Sequence, residues 1–335
     1  MAVGNLGDRP PGDPEAMHRQ KTKFTHRVNK VFTSRANGVA KVLERRGIRA
    51  TYELHDRVLS NRKSRQLFAH DLPELDDVQR RIVSDVDANG FSVVPLSELF
   101  PADTWSELES MGERFAAETK ADLAEGGEQV KVRAGKEFVV RLLSYGVEVG
   151  LENPWFRVCA SRRMLDIANA YLRMWAKLEY VDVWYSVPQP AEAERISSQR
   201  WHRDYNDKHL LKAFLYLVDV DESMGPFQYI PGSQPGGPYA DAWPWEPLGE
   251  NYPTEEELEQ RIPTSAEKVF SAPKGTIIFC NTAGFHRGGF STTRPRVLAT
   301  VSYSSPASLA SLTVQNYRFT GSLDALDGPT RFSLS

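Results

Sequence analysis

The sequence contains no run of 18 or more apolar residues, so it offers no helix able to span a bilayer. It has only two cysteines, Cys159 and Cys280, too few for a disulfide framework and without the close spacing of a thiolate metal site. Two reduced, buried thiols in a cytoplasmic protein are the expectation. The first sixteen residues hold no apolar core of the kind a secretory signal needs. Rich in Gly, Pro and Asp and without periodicity, they are expected to be disordered. Neither sign of charge dominates: the formal net charge is −3, which gives no global reason to expect a nucleic-acid partner. Internal repeats are also lacking.

What is present is ordinary globular material, with 41% hydrophobic and 25% charged residues over 335 positions, enough for one large core. One asymmetry stands out. Between Met17 and Ala50 there are ten Lys/Arg against a single acid, Glu44. Phe24, Val28, Val31 and Phe32 fall at helical spacing there, so a solvated helical arm is expected over a patch for an anionic partner. Residues 1–70 thus read as a basic, partly disordered extension and residues 71–335 as a single folded domain.

Within that domain Leu75, Val78, Ile82 and Val86 predict an amphipathic helix over 75–88, ended by Asn89-Gly90 and followed by a strand at 91–95. A second helix is expected from Asp103 as N-cap through Phe115, and further helices from Pro154 to about Trp175. Residues 124–137 read as a Gly-rich, charged, mobile loop. From Glu179 onward the pattern changes to short strands: 180–187, 211–218, 227–230, 276–280 and 296–304. Many short strands after a helical half predict an α+β fold, a β-sandwich or jelly roll with helices outside it. An insertion at 233–268 carries Tyr239, Trp243, Trp245 and Tyr252, and its Thr254 and Glu257 form a capping-box pattern. A lid or pocket wall is one expectation for it and simple padding the other.

The chemistry centres on His202-Arg-Asp204. On an extended backbone, residues i and i+2 share a face, so an imidazole and a carboxylate are presented side by side. Alone this is weak, since about 0.4 such pairs arise by chance in a chain of this composition. His286 follows a strand of buried-type residues and precedes Gly288-Gly289, placed to project into a barrel mouth. Two neutral imidazoles and one carboxylate on one face of an ion leave three positions open, which suits non-haem Fe(II) that must also hold a cosubstrate and O₂. Arg296 opens the last long strand, where alternation places Arg296, Leu298, Thr300 and Ser302 on one face. A buried arginine needs an anionic partner, and the distal carboxylate of a dicarboxylate would match its planar fork. Arg294, at a turn before Pro295, reads as solvent-facing, and His209 reads as structural.

These residues resemble the phytanoyl-CoA dioxygenase family of Fe(II)/2-oxoglutarate oxygenases. The resemblance rests on SQRWHRDYND (198–207), FLYLVDVDESMGPFQYIPGSQ (214–234) and GTIIFCNTAGFHRGG with RPRVLATVSY (275–303), and spans about residues 75–305. It implies a double-stranded β-helix, jelly-roll and cupin-like. It also implies His202, Asp204 and His286 as catalytic iron ligands, with Arg296 on the 2-oxoglutarate C5 carboxylate. The implied reaction consumes 2-oxoglutarate and O₂, releases succinate and CO₂, and oxidises a C–H bond of a small-molecule substrate, with hydroxylation as the default outcome. Related halogenases lack the carboxylate, so Asp204 argues against halogenation. Gln234 and Asn281 stand where the family often has His and Asp. Gly288 stands where a small residue often assists the cosubstrate, leaving Gln199, Ser302 and Lys212 as candidates for the second 2-oxoglutarate contact. The competing readings are a non-oxygenase metal- or sugar-binding cupin-like protein, and an interaction protein acting through the basic arm.

Overall fold

Strict alternation decides the architecture. In the computed structural model, which describes residues 46–126, 137–143, 146–243, 245–247, 252–309 and 317–335, β10 (Arg296–Ser304) lies antiparallel between β4 (Lys177–Ser186) and β5 (Leu210–Tyr216). β5 continues to β8 (Thr276–Cys280), and β8 to β1 (Phe91–Pro95). A short β2 (Val139–Arg141) closes the other edge, giving the order β1-β8-β5-β10-β4-β2. Odd-numbered Val297, Ala299, Val301 and Tyr303 face a core shared with the helices. Even-numbered Leu298 faces an inner core with Phe214, Tyr216, Ile278 and Cys280. Period-two patterning on a half-polar strand thus sorts one sheet into a helix-packed face and a barrel face.

The opposing sheet is small. β6 (Phe227–Tyr229) pairs with β7 (Lys268–Phe270) on one side and β9 (His286–Arg287) on the other. An isolated bridge between His202 and His286 adds a fourth row. The chain alternates between the sheets, from β4 to the 202 segment, β5 to β6 and β7, β8 to β9, and on to β10. That alternation is the double-stranded β-helix. A separate parallel pair joins β3 (Val147–Val149) to β11 (Tyr317–Phe319).

Helices cover the outer face. Residues 46–57 are helical (α1), followed by α2 (Ser60–His70) and α3 (Asp77–Asn89). α3 starts at a capping box in which Asp76 and Gln79 bond each other's backbone, and ends on Gly90 at φ 85°. The expected strand after it is β1. α4 (Ala102–Ala124) begins on Pro101, so Asp103 lies in its first turn and is not its N-cap. The helical stretch after Pro154 is two helices, α5 (Pro154–Ala160) and α6 (Arg162–Leu172), broken at Ser161, which caps the second. The capping box at Thr254 starts α7 (Glu255–Glu259) as expected, and α8 (Gly328–Leu334) ends the chain. The expected arm before residue 46 and the centre of the Gly-rich loop, 127–136, lie outside the described residues.

Contacts divide the chain between Ile48 and Arg49, so residues 49–70 count with the barrel, where composition suggested a boundary near residue 70. Asn61 donates to Ser305 Oγ at 3.1 Å and Ser64 to the Trp175 carbonyl at 2.5 Å, tying α2 to the sheet. Trp155 is fully buried, and its indole donates to the Thr300 carbonyl on β10 at 3.0 Å. Trp155→Ala is expected to cost about 3–5 kcal/mol through cavity formation and an orphaned carbonyl, measurable as a lowered urea midpoint.

Candidate metal centre

His202 and His286 meet because their backbones pair. The His202 amide donates to the His286 carbonyl at 3.1 Å, the reverse bond is 3.0 Å, and the ring centroids lie 4.1 Å apart. Asp204, two residues on, is fixed by its own amide donating to the Thr282 carbonyl at 2.8 Å. The ligand atoms of the three side chains all lie within 4.8 Å of one another, the one such group among the described residues. Each imidazole is oriented by a carbonyl two residues upstream: His202 Nδ1 lies 2.9 Å from the Arg200 oxygen and His286 Nδ1 3.0 Å from the Gly284 oxygen. An Nδ1–H donated there leaves the Nε2 lone pair for a metal, the arrangement that sets tautomer and ring angle in histidine sites. Asn281 supports the approach to His286, accepting from the Ala283 amide and donating to Tyr171.

Lys212 Nζ is 2.6 Å from Asp204 Oδ2. Burial opposes ionisation of Asp204, but Lys212 together with the two imidazoles outweighs it and holds the carboxyl well below the ordinary range. The same attraction reverses what burial would do to Lys212 and raises its pKa. Asp204 is therefore an anion ready to bind a cation.

Arg296 lines the same cleft as the three metal-ligand candidates, with Lys212, Trp184, Phe214 and Leu298 among the other walls. The cleft encloses about 480 Å³, part of it open to solvent. Arg296 is buried, donates from Nη1 to the Gly225 carbonyl at 2.5 Å, and leaves Nε without a partner. Among the described residues no carboxylate pairs with it. Burial pushes its pKa down, and the Tyr216 hydroxyl partly restores it. Glycines make room for its fork: a Cβ at Gly288 would lie 3.3 Å from Nη1 and one at Gly289 3.2 Å from Nη2. A buried guanidinium short of acceptors, in a cleft with two histidines and an aspartate, fits iron with a dianionic cosubstrate. Arg294 is instead exposed and pairs with Asp221 at 2.6 Å.

The other residues singled out for 2-oxoglutarate separate clearly. Lys212 lines the cleft. Gln199 does not: its Oε1 accepts from the Ile196 amide at 3.0 Å and its Nε2 donates to Gln189 at 2.8 Å, which fastens the loop before His202. Gln199→Leu should leave the 2-oxoglutarate KM within about twofold, since no cosubstrate hydrogen bond is removed; steady-state titration checks it. Ser302 is on the inward face as alternation requires, opposite Lys212, but it is not among the cleft walls. His209 Nε2 lies 3.1 Å from Asp56 Oδ1 and is structural, as read.

Several contributors went unseen in the sequence. Trp184 is held against the cleft by its indole donating to Tyr180 and Asp182 at 3.0 and 3.1 Å, beside Arg141. Burial raises the Asp182 carboxyl to about 6, against the Tyr180 hydroxyl, the Arg141 charge and two backbone amides that favour its anion. Ser198 and Arg287 also line the cleft. Arg287 bonds Glu255 at 2.6 Å and Glu267 at 3.3 Å, fastening the 255–267 part of the insertion. Ser197, in the loop before His202, sits at φ 49°, a left-handed backbone uncommon for a non-glycine residue.

Comparison with known proteins is consistent with this geometry. The sequence model described as Phytanoyl-CoA dioxygenase (PhyH) matches residues 86–297. No curated protein sequence matches the chain. Among solved structures it is similar to EctD from S. alaskensis in its apoform, at 18% identity and TM-score 0.49, over 70% of this chain and 81% of that one. It is likewise similar to the epimerase SnoN in complex with Fe3+, alpha ketoglutarate and nogalamycin RO, at 18% identity and TM-score 0.45, over 68% and 84%. HygX from Streptomyces hygroscopicus, with nickel and 2-oxoglutarate bound, gives 16% identity and TM-score 0.43, over 69% and 88%. Because the family match covers well over half of the sequence and takes in the His202–Asp204 pair, His286 and Arg296, the chain belongs to the phytanoyl-CoA dioxygenase family and is a non-haem iron, 2-oxoglutarate-dependent enzyme.

Proposed function

We propose that the protein hydroxylates a C–H bond of a small organic molecule, with iron held by His202, Asp204 and His286 and the C5 carboxylate of 2-oxoglutarate held by Arg296. The observation that carries this reading is the shared cleft: a buried arginine with no carboxylate of its own faces the same space as the three ligand side chains. When bound, iron and 2-oxoglutarate supply the oxidising chemistry, consuming O₂ and releasing succinate and CO₂ while one oxygen atom passes to the substrate.

The protein's own residues do the rest. Arg296 fixes one end of the cosubstrate, and Gly288 and Gly289 keep its fork unobstructed. Phe214, Phe227, Leu298 and Trp184 make an apolar wall that excludes water. Carbonyls at Nδ1 of His202 and His286 favour the Nδ1–H tautomer, which leaves both Nε2 atoms to face a metal. Tyr252 of the insertion stacks on the His202 ring, which favours a substrate with a ring or apolar portion. Residues 71–335 would form the catalytic domain, with the contacts of α1 and α2 extending it toward the N-terminus. Both cysteines are free and buried, in keeping with a cytoplasmic enzyme.

The test is an untargeted incubation of the purified protein with Fe(II), 2-oxoglutarate, O₂ and a metabolite extract. A compound gaining the mass of one oxygen, in step with succinate, is the expected result. Metal binding without any 2-oxoglutarate consumption across such mixtures would favour a non-oxygenase cupin-like binder instead.

A further inference from the structure

The segment carrying His202 and Asp204 runs largely outside regular strands between β4 and β5, so few ladder hydrogen bonds hold it. Beyond the His202–His286 bridge and the Asp204 amide bond to the Thr282 carbonyl, it is held from outside the barrel by two remote parts of the chain. From the insertion, the Trp245 indole N–H donates to the Asp204 carbonyl at 2.7 Å. From α1, which precedes the residues matched by the family, the Tyr52 ring packs on Trp245 with centroids 5.2 Å apart. The Tyr52 hydroxyl donates to Asp207 Oδ1 at 2.6 Å and accepts from the Lys208 amide at 3.1 Å. Tyr52 is fully buried, and Asp207 is anchored in turn by the Ser305 amide at 2.8 Å, just past β10. Tyr252, also from the insertion, lies parallel to the His202 ring at 5.2 Å and 10°.

We propose that Tyr52 and Trp245 are positioning residues for the metal centre: together they latch the backbone of Asp204, so that its carboxylate meets the two imidazoles. The inference rests on the reading of His202, Asp204 and His286 as the metal ligands. Its physical basis is that a ligand on irregular backbone must be held to within about half an ångström by its supporting contacts, or affinity and reactivity fall together. Trp245 supplies one such hydrogen bond. Tyr52 supplies both the surface that holds Trp245 and two bonds to Asp207 and Lys208, three and four residues past Asp204. The N-terminal helix and the insertion thereby become parts of one site. This also separates the two tryptophans of the insertion. Trp243 packs with Trp201, Ile230 and Phe285 in a satellite core and lies under Arg261, whereas the bond to Asp204 comes from Trp245.

The experiment is an anaerobic titration of the full chain with Co(II), a visible-absorbing stand-in for Fe(II), on wild type, Trp245→Phe and Tyr52→Phe. Tyr52→Phe removes only the hydroxyl, while Trp245→Phe keeps an aromatic ring but gives up the indole N–H and part of its contact with Tyr52. The wild-type control, with His286→Ala beside it, establishes that Co(II) occupies the proposed ligands; if His286→Ala binds Co(II) as wild type does, the ligand assignment itself falls, and the latch with it. With that control passed, Trp245→Phe is expected to weaken Co(II) binding by about 3- to 10-fold, the worth of one hydrogen bond, and to alter the visible Co(II) spectrum. Tyr52→Phe should act in the same direction, and the double variant should fall short of the product of the two because both hold the same short backbone segment and pack on each other. Wild-type affinity and spectrum in both single variants would overturn the proposal, whatever happens to their thermal stability. A fall in melting temperature with unchanged Co(II) binding would assign both residues to packing alone and overturn it equally.

Discussion

Arg296→Leu is expected to raise the 2-oxoglutarate requirement by about 30- to 5,000-fold, the equivalent of roughly 2–5 kcal/mol for a buried charge-assisted pair. The size follows from what surrounds the guanidinium. It is buried among Tyr216, Gly225 and the Gly288-Gly289 turn, with one carbonyl as its hydrogen-bonded backbone partner and no carboxylate among the described residues. A dianion arriving there meets a fork already desolvated and fixed, so little ordering cost offsets the interaction. Steady-state titration of 2-oxoglutarate at saturating iron reads the effect. An unchanged KM would remove Arg296 from the cosubstrate site. Arg294→Leu is the matched control, since that side chain is exposed and its partner is Asp221.

His286→Ala is expected to abolish turnover and to weaken metal binding by more than about 100-fold, beyond what loss of a supporting contact costs. The variant should still fold. The Lys212–Asp204 ion pair at 2.6 Å survives it, and the backbone bonds between residues 202 and 286 do not involve the side chain. Circular dichroism beside anaerobic metal titration separates loss of the site from loss of the fold. Retained turnover would contradict the ligand assignment directly.

How much of this was readable in advance depended on the range of the forces involved. β8 and β10 are legible to the residue, because buried strands bounded by turn residues leave a pattern that side-chain alternation enforces. His202, Asp204 and His286 are legible as a set, since only an extended backbone makes a His-x-Asp pair converge and a distant histidine in a strand-turn context can join it. β9 is two residues long and exists because His286 pairs with both Tyr229 and His202, a tertiary event with no periodicity to betray it. Gln199 was misleading for a simple reason: three positions from a ligand says nothing about direction, and its side chain turns back to cap its own loop. Ser302 shows another limit: it lies on the inward face opposite Lys212, yet of the two only the longer Lys212 side chain is among the cleft walls. Tyr52 carried no signal at all, because its partner Asp207 is 155 residues away and only the fold brings them together.

The central claim is that His202, Asp204, His286 and Arg296 form one iron and 2-oxoglutarate site. Its most direct test is sequential anaerobic binding of Fe(II) and then 2-oxoglutarate, followed by visible charge-transfer absorption, in wild type, His286→Ala and Arg296→Leu. Wild type should take up one Fe(II) and then one 2-oxoglutarate with a new visible band. His286→Ala should bind neither, and Arg296→Leu should bind iron but develop the band only at far higher 2-oxoglutarate. Iron binding that survives His286→Ala, or a band that develops in Arg296→Leu at the wild-type concentration, would contradict the account.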